Sequence, residues 1–186
     1  MMSGRSTTFV SCFAFVTIIL LVSIPFSQSQ PSALIDQICK KTPYYDLCSS
    51  TLKSSTLSPN ADLKEAAQVM VNDILAKASD TLNFIQGLVQ STKDPILQRK
   101  LGVCAEEYVP IVKYTLPQAA AAIMNKKDFK FASYSVSKAL KDLSTSCDKN
   151  FGSAQSQLGD RNSNVEKLLQ VGQAIIQQGI QMVLIL

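Results

Sequence analysis

Hydrophobic side chains recur every three or four residues along most of the chain after residue 31, a spacing typical of helices that bury one face. The first long stripe follows Asn60, a residue type that often caps a helix N-terminus. Its members are Leu63, Ala67, Met70, Ile74, Ala78, Leu82, Ile85 and Val89. The stripe stops near "STKDP", where Asp94 is suited to cap a second helix and Pro95 to take its first position. The pattern therefore predicts two consecutive helices separated by a short polar turn.

The second helix contains Pro110 and Pro117, and we expect kinks there because proline lacks the backbone N–H that an α-helix uses. Its apolar face comprises Leu97, Leu101, Cys104 and Tyr108. A third stripe follows a polar turn at Asn125 and comprises Ala132, Val136, Ala139, Leu143 and Cys147. A fourth follows the connector "NFGSAQSQLGDRNSN" and comprises Val165, Leu168, Leu169, Ile175, Ile176, Gly179 and Val183. Four amphipathic helices with short connections predict an all-α, up-down-up-down four-helix bundle over residues 59–186.

A separate small unit, residues 30–58, precedes the bundle. Thr42 is a possible cap within it and Pro43 a possible first helical residue. The expected short helices are Ile35–Cys39 and Tyr44–Leu52. Cys39 and Cys48 would clip the two helices together, which matters because each is too short to be stable alone. The unit is therefore predicted to be an N-terminal helical hairpin.

The first 29 residues indicate a secretory signal peptide. Arg5 precedes an apolar run that begins at Phe9, and Ser27 and Ser29 place small residues at a suitable cleavage spacing. An uncleaved membrane anchor is the alternative, because the apolar run is nearly long enough to span a bilayer. Cleavage near Ser29 would remove Cys12 and leave four cysteines, an even set that indicates two disulfides in a secreted chain.

Composition argues against most enzyme classes. Without Arg5 the chain keeps 17 lysines and arginines against 14 acidic residues, a net charge of +3. These basic residues are scattered and no nucleic-acid motif accompanies them, so no nucleic-acid partner is expected. The chain has no histidine, which removes the commonest general base and the usual zinc sites. We therefore expect a non-catalytic protein without metal or cofactor, and a pair of carboxylates is the one catalytic arrangement left open.

Three segments combine cysteines with aromatic and charged residues: "CKKTPYYDLCSSTL", "CAEEYVPIVKYTL" with Cys104 and Tyr108, and "KKDFKFASYSVSKALKDLSTSCDKNF" with Cys147. On these segments the chain resembles the plant invertase inhibitor and pectin methylesterase inhibitor family, over essentially all of residues 32–186. The resemblance implies a four-helix bundle with an N-terminal hairpin. It also implies disulfides that pair the first cysteine with the second and the third with the fourth. Such proteins bind a secreted carbohydrate-active enzyme and block its active site or substrate cleft.

The connection between the second and third bundle helices contains "DFKF", residues 128–131. The resemblance implies a role for this place in the chain. In the invertase-inhibiting branch of the family, a Pro-Lys-Phe tripeptide here enters the sucrose site of the enzyme. Lys130 and Phe131 match that tripeptide, whereas Phe129 departs from it and lacks the backbone restriction of proline. An ammonium group suits a carboxylate-lined hydrolase subsite, and an aromatic ring suits a sugar-binding platform. Asp128, Phe129, Lys130 and Phe131 are therefore the candidate target-binding residues.

The same residues have a structural alternative. Phe129 or Phe131 could turn inward and fix the start of the third bundle helix, and Asp128 could cap that helix. Three tyrosines outside this stretch are expected to serve packing rather than binding: Tyr44, Tyr45 and Tyr108.

These features predict a secreted, non-catalytic inhibitor that forms a stoichiometric complex with plant acid invertase (β-fructofuranosidase) through residues 128–131. The expected location is the apoplast or cell wall, with the vacuole as the second choice, and no membrane association is expected after the leader is cleaved. Inhibition of pectin methylesterase through a bundle face is the rival hypothesis. A lipid or small-ligand carrier is a third hypothesis, disfavoured because plant lipid-transfer proteins have more cysteines, including adjacent pairs.

Overall fold

A computed structural model describes residues 31–126, 128–147 and 157–185, and these stretches are helical apart from short connections. The predicted leader and the first part of the connector predicted before the fourth bundle helix lie outside the described residues. The elements in chain order are α1 Pro31–Cys39, α2 Tyr45–Ser54, α3 Leu63–Ser91, α4 Pro95–Pro110, a π-helical turn Ile111–Thr115, α5 Leu116–Ala121, a π-helical turn Ala122–Lys126, α6 Phe129–Asp142, a π-helical turn Leu143–Cys147 and α7 Gln157–Ile185.

Four helical rods form a bundle, with α4 and α5 together making the second rod. Helix α3 packs against α4 and α7, and α6 packs against α5 and α7, so each rod contacts its neighbours in the sequence and the last rod returns to the first. The core between them is apolar, because most members of the predicted stripes turn inward. Leu97 and Val183 are exceptions, since they are 38% and 60% exposed. The largest buried side chains of the core include Met70, Ile74, Ile85, Leu101, Tyr108, Ile111, Leu116, Leu143, Leu168 and Leu169. The predicted all-α bundle is confirmed.

Aspartates cap the first two bundle helices. Asp62, rather than the predicted Asn60, caps α3, and its Oδ1 accepts a 2.8 Å hydrogen bond from the backbone N–H of Glu65. The carboxylate of Glu65 reaches back and accepts bonds of 2.6 Å from both the N–H and the hydroxyl of Ser58. Asn60 fails as a cap because the helix begins two residues later than its polar side chain suggested. Asp94 caps α4, as predicted.

The second rod continues through both of its prolines. Pro110 ends α4, Pro117 lies in the first turn of α5, and a π-helical turn, Ile111–Thr115, separates them. Proline lacks the N–H that an α-helix uses, and in the π turn between the two prolines the N–H of Leu116 bonds the carbonyl of Ile111, five residues earlier. The predicted irregularity therefore takes the form of a widened helical turn.

Helix α7 begins at Gln157, eight residues before the first member of the predicted stripe, so the second half of the predicted connector is helical. Leu158 and Asn162 lie one turn apart and are both buried. Arg161 lies between them in sequence and stacks over the ring of Phe84 on α3, 4.5 Å from the ring centre. The prediction of a loop was wrong here because a buried asparagine and a stacked arginine do not produce an apolar stripe.

The hairpin of α1 and α2 lies against the bundle. Thr42 does not cap α2 as predicted, because its hydroxyl donates a 2.8 Å hydrogen bond to the carbonyl of Cys39 at the end of α1. Helix α2 starts at Tyr45, and Tyr44 before it packs against the core without a side-chain capping bond. On the bundle side, the amide of Gln178 on α7 donates to the carbonyl of Ile38, at 3.2 Å. This bond ties the hairpin to the last helix.

Two disulfides join the helices in the predicted pairs. Cys39 and Cys48 link α1 to α2, with their Cα atoms 5.5 Å apart. Cys104 and Cys147 link α4 to the π-helical turn after α6, with their Cα atoms 4.6 Å apart. All four cysteines are buried, so one disulfide lies inside the hairpin and the other inside the bundle.

An exposed polar cluster, Asp36, Lys40 and Tyr45, stabilises the hairpin from outside. One carboxylate oxygen of Asp36 pairs with the Lys40 ammonium at 2.7 Å, and the other accepts a 2.8 Å hydrogen bond from the hydroxyl of Tyr45. The hydrogen bond from Lys40, and then that from Tyr45, lowers the pKa of Asp36, whereas the bond to Asp36 raises the pKa of both Lys40 and Tyr45. Tyr45 is 40% exposed, and its structural role is the hydrogen bond to Asp36 across the hairpin rather than packing in the core.

Candidate functional site

The candidate residues lie at the corner where the second bundle rod meets the third. The second rod ends in the π-helical turn Ala122–Lys126, and the N–H of Asp128 donates a 3.0 Å hydrogen bond back to the carbonyl of Ala122. Helix α6 begins at the next residue, Phe129. We call residues 128–131 the tip: Asp128 precedes α6, and the other three residues, predicted to lie in the connection, form the first turn of the helix.

Asp128 organises the tip as a helix cap. Its Oδ1 accepts a 2.9 Å hydrogen bond from the N–H of Phe131, and its carbonyl accepts one of 3.2 Å from the N–H of Ala132. Two of the N–H groups at the start of α6 are thus satisfied by a single residue. The alternative role predicted for Asp128, that of a cap, is the one the structure shows.

The two phenylalanines of the tip point in different directions. Phe129 is half-buried and packs against the core, with its ring lying over Gly179 of α7. Phe131 is 41% exposed. The inward orientation that we considered for either ring therefore applies to Phe129, whereas Phe131 presents its ring to solvent.

Lys130 lies between the two rings and is exposed. Among the described residues, ion pairs join Lys40 to Asp36 and Lys138 to Asp142, and neither pair includes Lys130. The tip therefore offers an ammonium group and the adjacent aromatic ring of Phe131 to solvent.

Two shallow clefts flank the tip. One, of about 270 Å³, separates it from the end of the second rod and is lined by Gln118, Ala121, Ala122, Asn125, Asp128 and Phe131. The other, of about 170 Å³, separates it from α7 and is lined by Asp128, Phe129, Lys130, Ile180, Val183 and Leu184. The tip thus stands as a ridge between two mainly apolar depressions, a shape that can enter a concave partner.

Helix α7 contributes residues that the sequence did not connect with the tip. Val183 was predicted to face the core, but it is 60% exposed and lines the second cleft with Ile180 and Leu184. Gly179 lies beneath the ring of Phe129. A glycine within an apolar helical face was the only available signal, since it often marks a close approach of another group.

Helix α6 is fixed to α7 one turn beyond the tip. The buried hydroxyl of Ser133 accepts hydrogen bonds from the side-chain amides of Gln173, at 2.7 Å, and Gln177, at 2.9 Å. Both glutamines lie on α7, one helical turn apart. The start of α6 is therefore held both by its cap and by the last helix.

Metal ligands do not come together in the described part of the chain. Within residues 31–126, 128–147 and 157–185, no group of three Cys, Asp or Glu side chains is arranged to hold a metal ion. None of the described helices is long and apolar enough to cross a membrane.

The fold is shared with solved inhibitors. A crystal structure of mutant form A of a pectin methylesterase inhibitor from Arabidopsis matches with a TM-score of 0.66 at 21% identity, over 80% of this chain and 97% of that one. A second structure, a pectin methylesterase inhibitor from Arabidopsis thaliana, matches with a TM-score of 0.57 at 22% identity, over 77% and 93%. At these identities the similarity establishes the fold.

The family follows from the sequence itself. A model of the plant invertase/pectin methylesterase inhibitor family matches residues 33–175, and the chain therefore belongs to that family. Over 98 residues the chain is 39% identical to cell wall / vacuolar inhibitor of fructosidase 2 from Arabidopsis thaliana, covering 48% of this chain and 54% of the relative. It is 36% identical over 91 residues to inhibitor of fructosidase 1 from the same plant, covering 49% and 43%.

A third relative from Arabidopsis thaliana, pectinesterase inhibitor 2, is 28% identical over 74 residues, covering 40% of this chain and 43% of the relative. The chain thus spans about half the length of the curated relatives that it matches. Both targets in the family's description are therefore represented among the relatives.

Proposed function

We propose that this protein is a non-catalytic inhibitor of plant acid invertase that forms a stoichiometric complex with the enzyme through the tip. The observation that carries this proposal is the joint exposure of Lys130 and Phe131 on a capped corner of the bundle. Relatives named as inhibitors of fructosidase support the choice of target.

The chemistry of the tip suits the active site of a glycosidase. Such sites bind sugar rings between carboxylates and flat apolar surfaces, which the ammonium of Lys130 and the ring of Phe131 would meet in turn. Inhibition of this kind needs no reaction on the inhibitor, because occupying the site is sufficient. A tip that is already ordered in the free protein loses less conformational entropy on binding, and the cap at Asp128 provides such order.

The location and organisation of the chain follow from the same proposal. Residues 1–29 act as the secretory leader, 30–58 as the hairpin unit and 59–186 as the bundle that carries the tip. The partner is a secreted or vacuolar acid invertase, and the site of action is the apoplast and cell wall or the vacuole. The names of the two fructosidase inhibitors, which mention both cell wall and vacuole, support this range.

Pectin methylesterase is the second candidate target, and a specific observation favours it. Tyr114 and Tyr134 are 60% and 67% exposed on adjacent rods of the bundle. Exposed tyrosines are frequent anchors in protein interfaces because they combine an apolar ring with a polar end. In this mode a bundle face would bind the enzyme and the tip would play no part.

Direct titration distinguishes the two targets. The chain without residues 1–29 is added in increasing amounts to a fixed amount of acid invertase and, separately, of pectin methylesterase, at the same acidic pH. We expect sucrose hydrolysis to fall linearly to an end point at one inhibitor per enzyme, and pectin demethylation to stay unchanged. Loss of pectin demethylation with invertase unaffected would replace the first proposal by the second.

A further inference from the structure

The ring of Phe129 occupies space that a side chain at residue 179 would need. A Cβ atom built on Gly179 would lie 2.5 Å from Cδ1 of Phe129, 2.6 Å from Cε1 and 2.8 Å from Cγ. These distances are far below van der Waals contact, and they involve the rigid ring rather than the end of a flexible chain. The absence of a side chain at residue 179 is therefore what allows the ring to lie on α7.

The position of this ring determines where the tip begins. Phe129 is the first residue of α6, directly between the cap Asp128 and the exposed Lys130. A displaced ring would move the backbone to which both neighbours belong. It would also disturb the 2.9 Å bond between Asp128 and the N–H of Phe131.

We propose that Gly179 is a positioning residue for inhibition: it seats Phe129 on α7 and thereby holds Lys130 and Phe131 in the orientation that meets the enzyme. This inference rests on the proposed function of the tip. Gly179 is buried beneath the ring, so its effect on the enzyme passes through Phe129 rather than through direct contact.

Proline at residue 129 offers a second means of fixing the tip, and so provides the test. The first position of a helix accepts proline readily, because its N–H is not needed inside the helix. Asp128, with ψ of 78°, is outside the α region that proline disfavours for the residue before it. In a Phe129→Pro variant the ring is gone, and the backbone is restricted by covalent geometry instead.

The experiment compares Gly179→Ala with and without Phe129→Pro, measuring the inhibition constant against acid invertase. With Phe129 present, Gly179→Ala is expected to weaken inhibition about tenfold or more, because the tip must be ordered at binding. In the Phe129→Pro background the same alanine is expected to change inhibition less than about twofold, since no ring remains to be displaced. An equal loss in both backgrounds would overturn the proposal.

Gly172→Ala is the matched control for stability. It lies two turns earlier on the same helix, and its Cβ would meet Cδ1 of Ile74 on α3 at 2.7 Å rather than a residue of the tip. We expect this variant to lower the melting temperature without weakening inhibition when assayed well below that temperature. If Gly172→Ala weakens inhibition as much as Gly179→Ala for the same loss of stability, the effect is general and the positioning role is refuted.

Hydrogen exchange tests the same inference without any enzyme. Gly179→Ala is expected to speed exchange of the N–H groups of Phe131 and Ala132, which bond to Asp128, and to leave the rest of α6 protected. Unchanged exchange at these two groups would overturn the positioning role even if invertase proved not to be the target. Failure of the wild-type chain to inhibit invertase, with exchange altered as expected, would instead refute only the proposed function.

Discussion

Tyr108 and Asn162 share a 2.7 Å hydrogen bond inside the bundle, although 54 positions separate them in the sequence. The hydroxyl of Tyr108 donates to Oδ1 of Asn162, and both side chains are fully enclosed. Helix α4 packs mainly on α3 and on the π-helical turn after α6, whereas α7 packs mainly on α3 and α6. The bond therefore crosses the interior of the bundle and joins two rods that are not direct neighbours in the ring.

Removing this hydroxyl should cost stability. Tyr108→Phe keeps the ring and deletes the donor, so we expect the free energy of unfolding to fall by about 1 kcal/mol. A loss of that size lowers the melting temperature by about 2–4 °C in a domain of this length. Tyr114→Phe, at an exposed position, serves as the control and should leave the melting temperature unchanged. Equal melting temperatures for Tyr108→Phe and the wild type would show that the bond adds nothing net.

Truncating the tip should weaken inhibition without weakening the fold. Lys130→Ala removes the ammonium and Phe131→Ala the exposed ring, and each should cost about 2 kcal/mol or more of binding, or roughly a thirtyfold rise in the inhibition constant. Melting temperatures should hardly change, because both side chains are exposed.

Two exposed residues away from the tip provide controls for this experiment. Lys141→Ala removes a charge near the far end of α6, and Ile96→Ala removes an apolar side chain at the start of α4, at the opposite end of the bundle. Neither should affect inhibition. A folded Lys130→Ala, Phe131→Ala double variant that inhibits invertase normally would exclude the tip and favour a bundle face.

The cap of α6 should affect both stability and binding. Asp128→Ala is expected to lower the free energy of unfolding by about 1 kcal/mol and to weaken inhibition, because the N–H of Phe131 loses its acceptor. Asp94→Ala removes an equivalent cap at the other end of the bundle and should lower stability alone. Asp128→Asn keeps a capping oxygen and should preserve both properties. Inhibition that falls equally in the Asp94 and Asp128 variants would show that only stability matters.

The two disulfides should differ in their contributions. By the chain-entropy estimate, the bridge between Cys104 and Cys147 contributes about 4 kcal/mol and that between Cys39 and Cys48 about 2.7 kcal/mol, because the first closes a longer loop. Replacing each pair by serines and measuring denaturant unfolding gives the comparison. If removing the Cys39–Cys48 disulfide lowers the free energy of unfolding as much as removing the Cys104–Cys147 disulfide, loop length does not determine their contributions. Strain or residual structure in the unfolded chain would then be the larger effect.

The polar cluster on the hairpin should stabilise the fold at intermediate pH and lose this effect at both low and high pH. The pKa of Asp36 is lowered on folding, so its contribution is present above the ordinary value of 3.8 and is lost as the pH falls through the lowered value. The pKa values of Lys40 and Tyr45 are raised above 10.5 and 10.0, so their contributions are present below these values and are lost as the pH rises through the raised ones. The hairpin should therefore keep this support in mildly acidic solution.

Comparing the wild type with Asp36→Asn over a pH series tests this expectation. The difference in unfolding free energy should be constant between about pH 5 and pH 9 and should shrink below about pH 4. Tyr45→Phe, which leaves the ion pair with Lys40 in place, should show a smaller difference. A difference that grows on acidification would contradict the assigned direction of the Asp36 pKa shift.

The bundle could be predicted from the sequence because the spacing of apolar residues within each segment indicates a helix. Spacing alone placed α3 and α6, and Asp94 with Pro95 marked the start of α4. The spacing of apolar residues did not predict the start of α7, because the buried Asn162 there is polar. Its hydrogen-bond partner, the hydroxyl of Tyr108, lies 54 residues away in the sequence. A partner at that separation leaves no trace in a window of one or two helical turns.

In the candidate site, too, some features could be predicted from local sequence and others depend on residues far away in the chain. Lys130 and Phe131 were identified from a short motif, and the cap at Asp128 from its residue type. The inward position of Phe129 depends on Gly179, fifty residues later, and so was open until the two helices were seen together. Sequence patterns thus identified the exposed groups of the tip but not the support beneath them.

The hydrogen bonds of Ser133 set the register of α6 along α7. Sliding α6 by one helical turn, about 5.4 Å, would carry the hydroxyl away from Gln173 or from Gln177, depending on the direction, and so break at least one of its two hydrogen bonds. A purely apolar seam would tolerate several such slips at similar free energy, as coiled coils without a polar contact do. The position of Lys130 along the bundle axis is therefore fixed by Ser133, three residues further along the same helix.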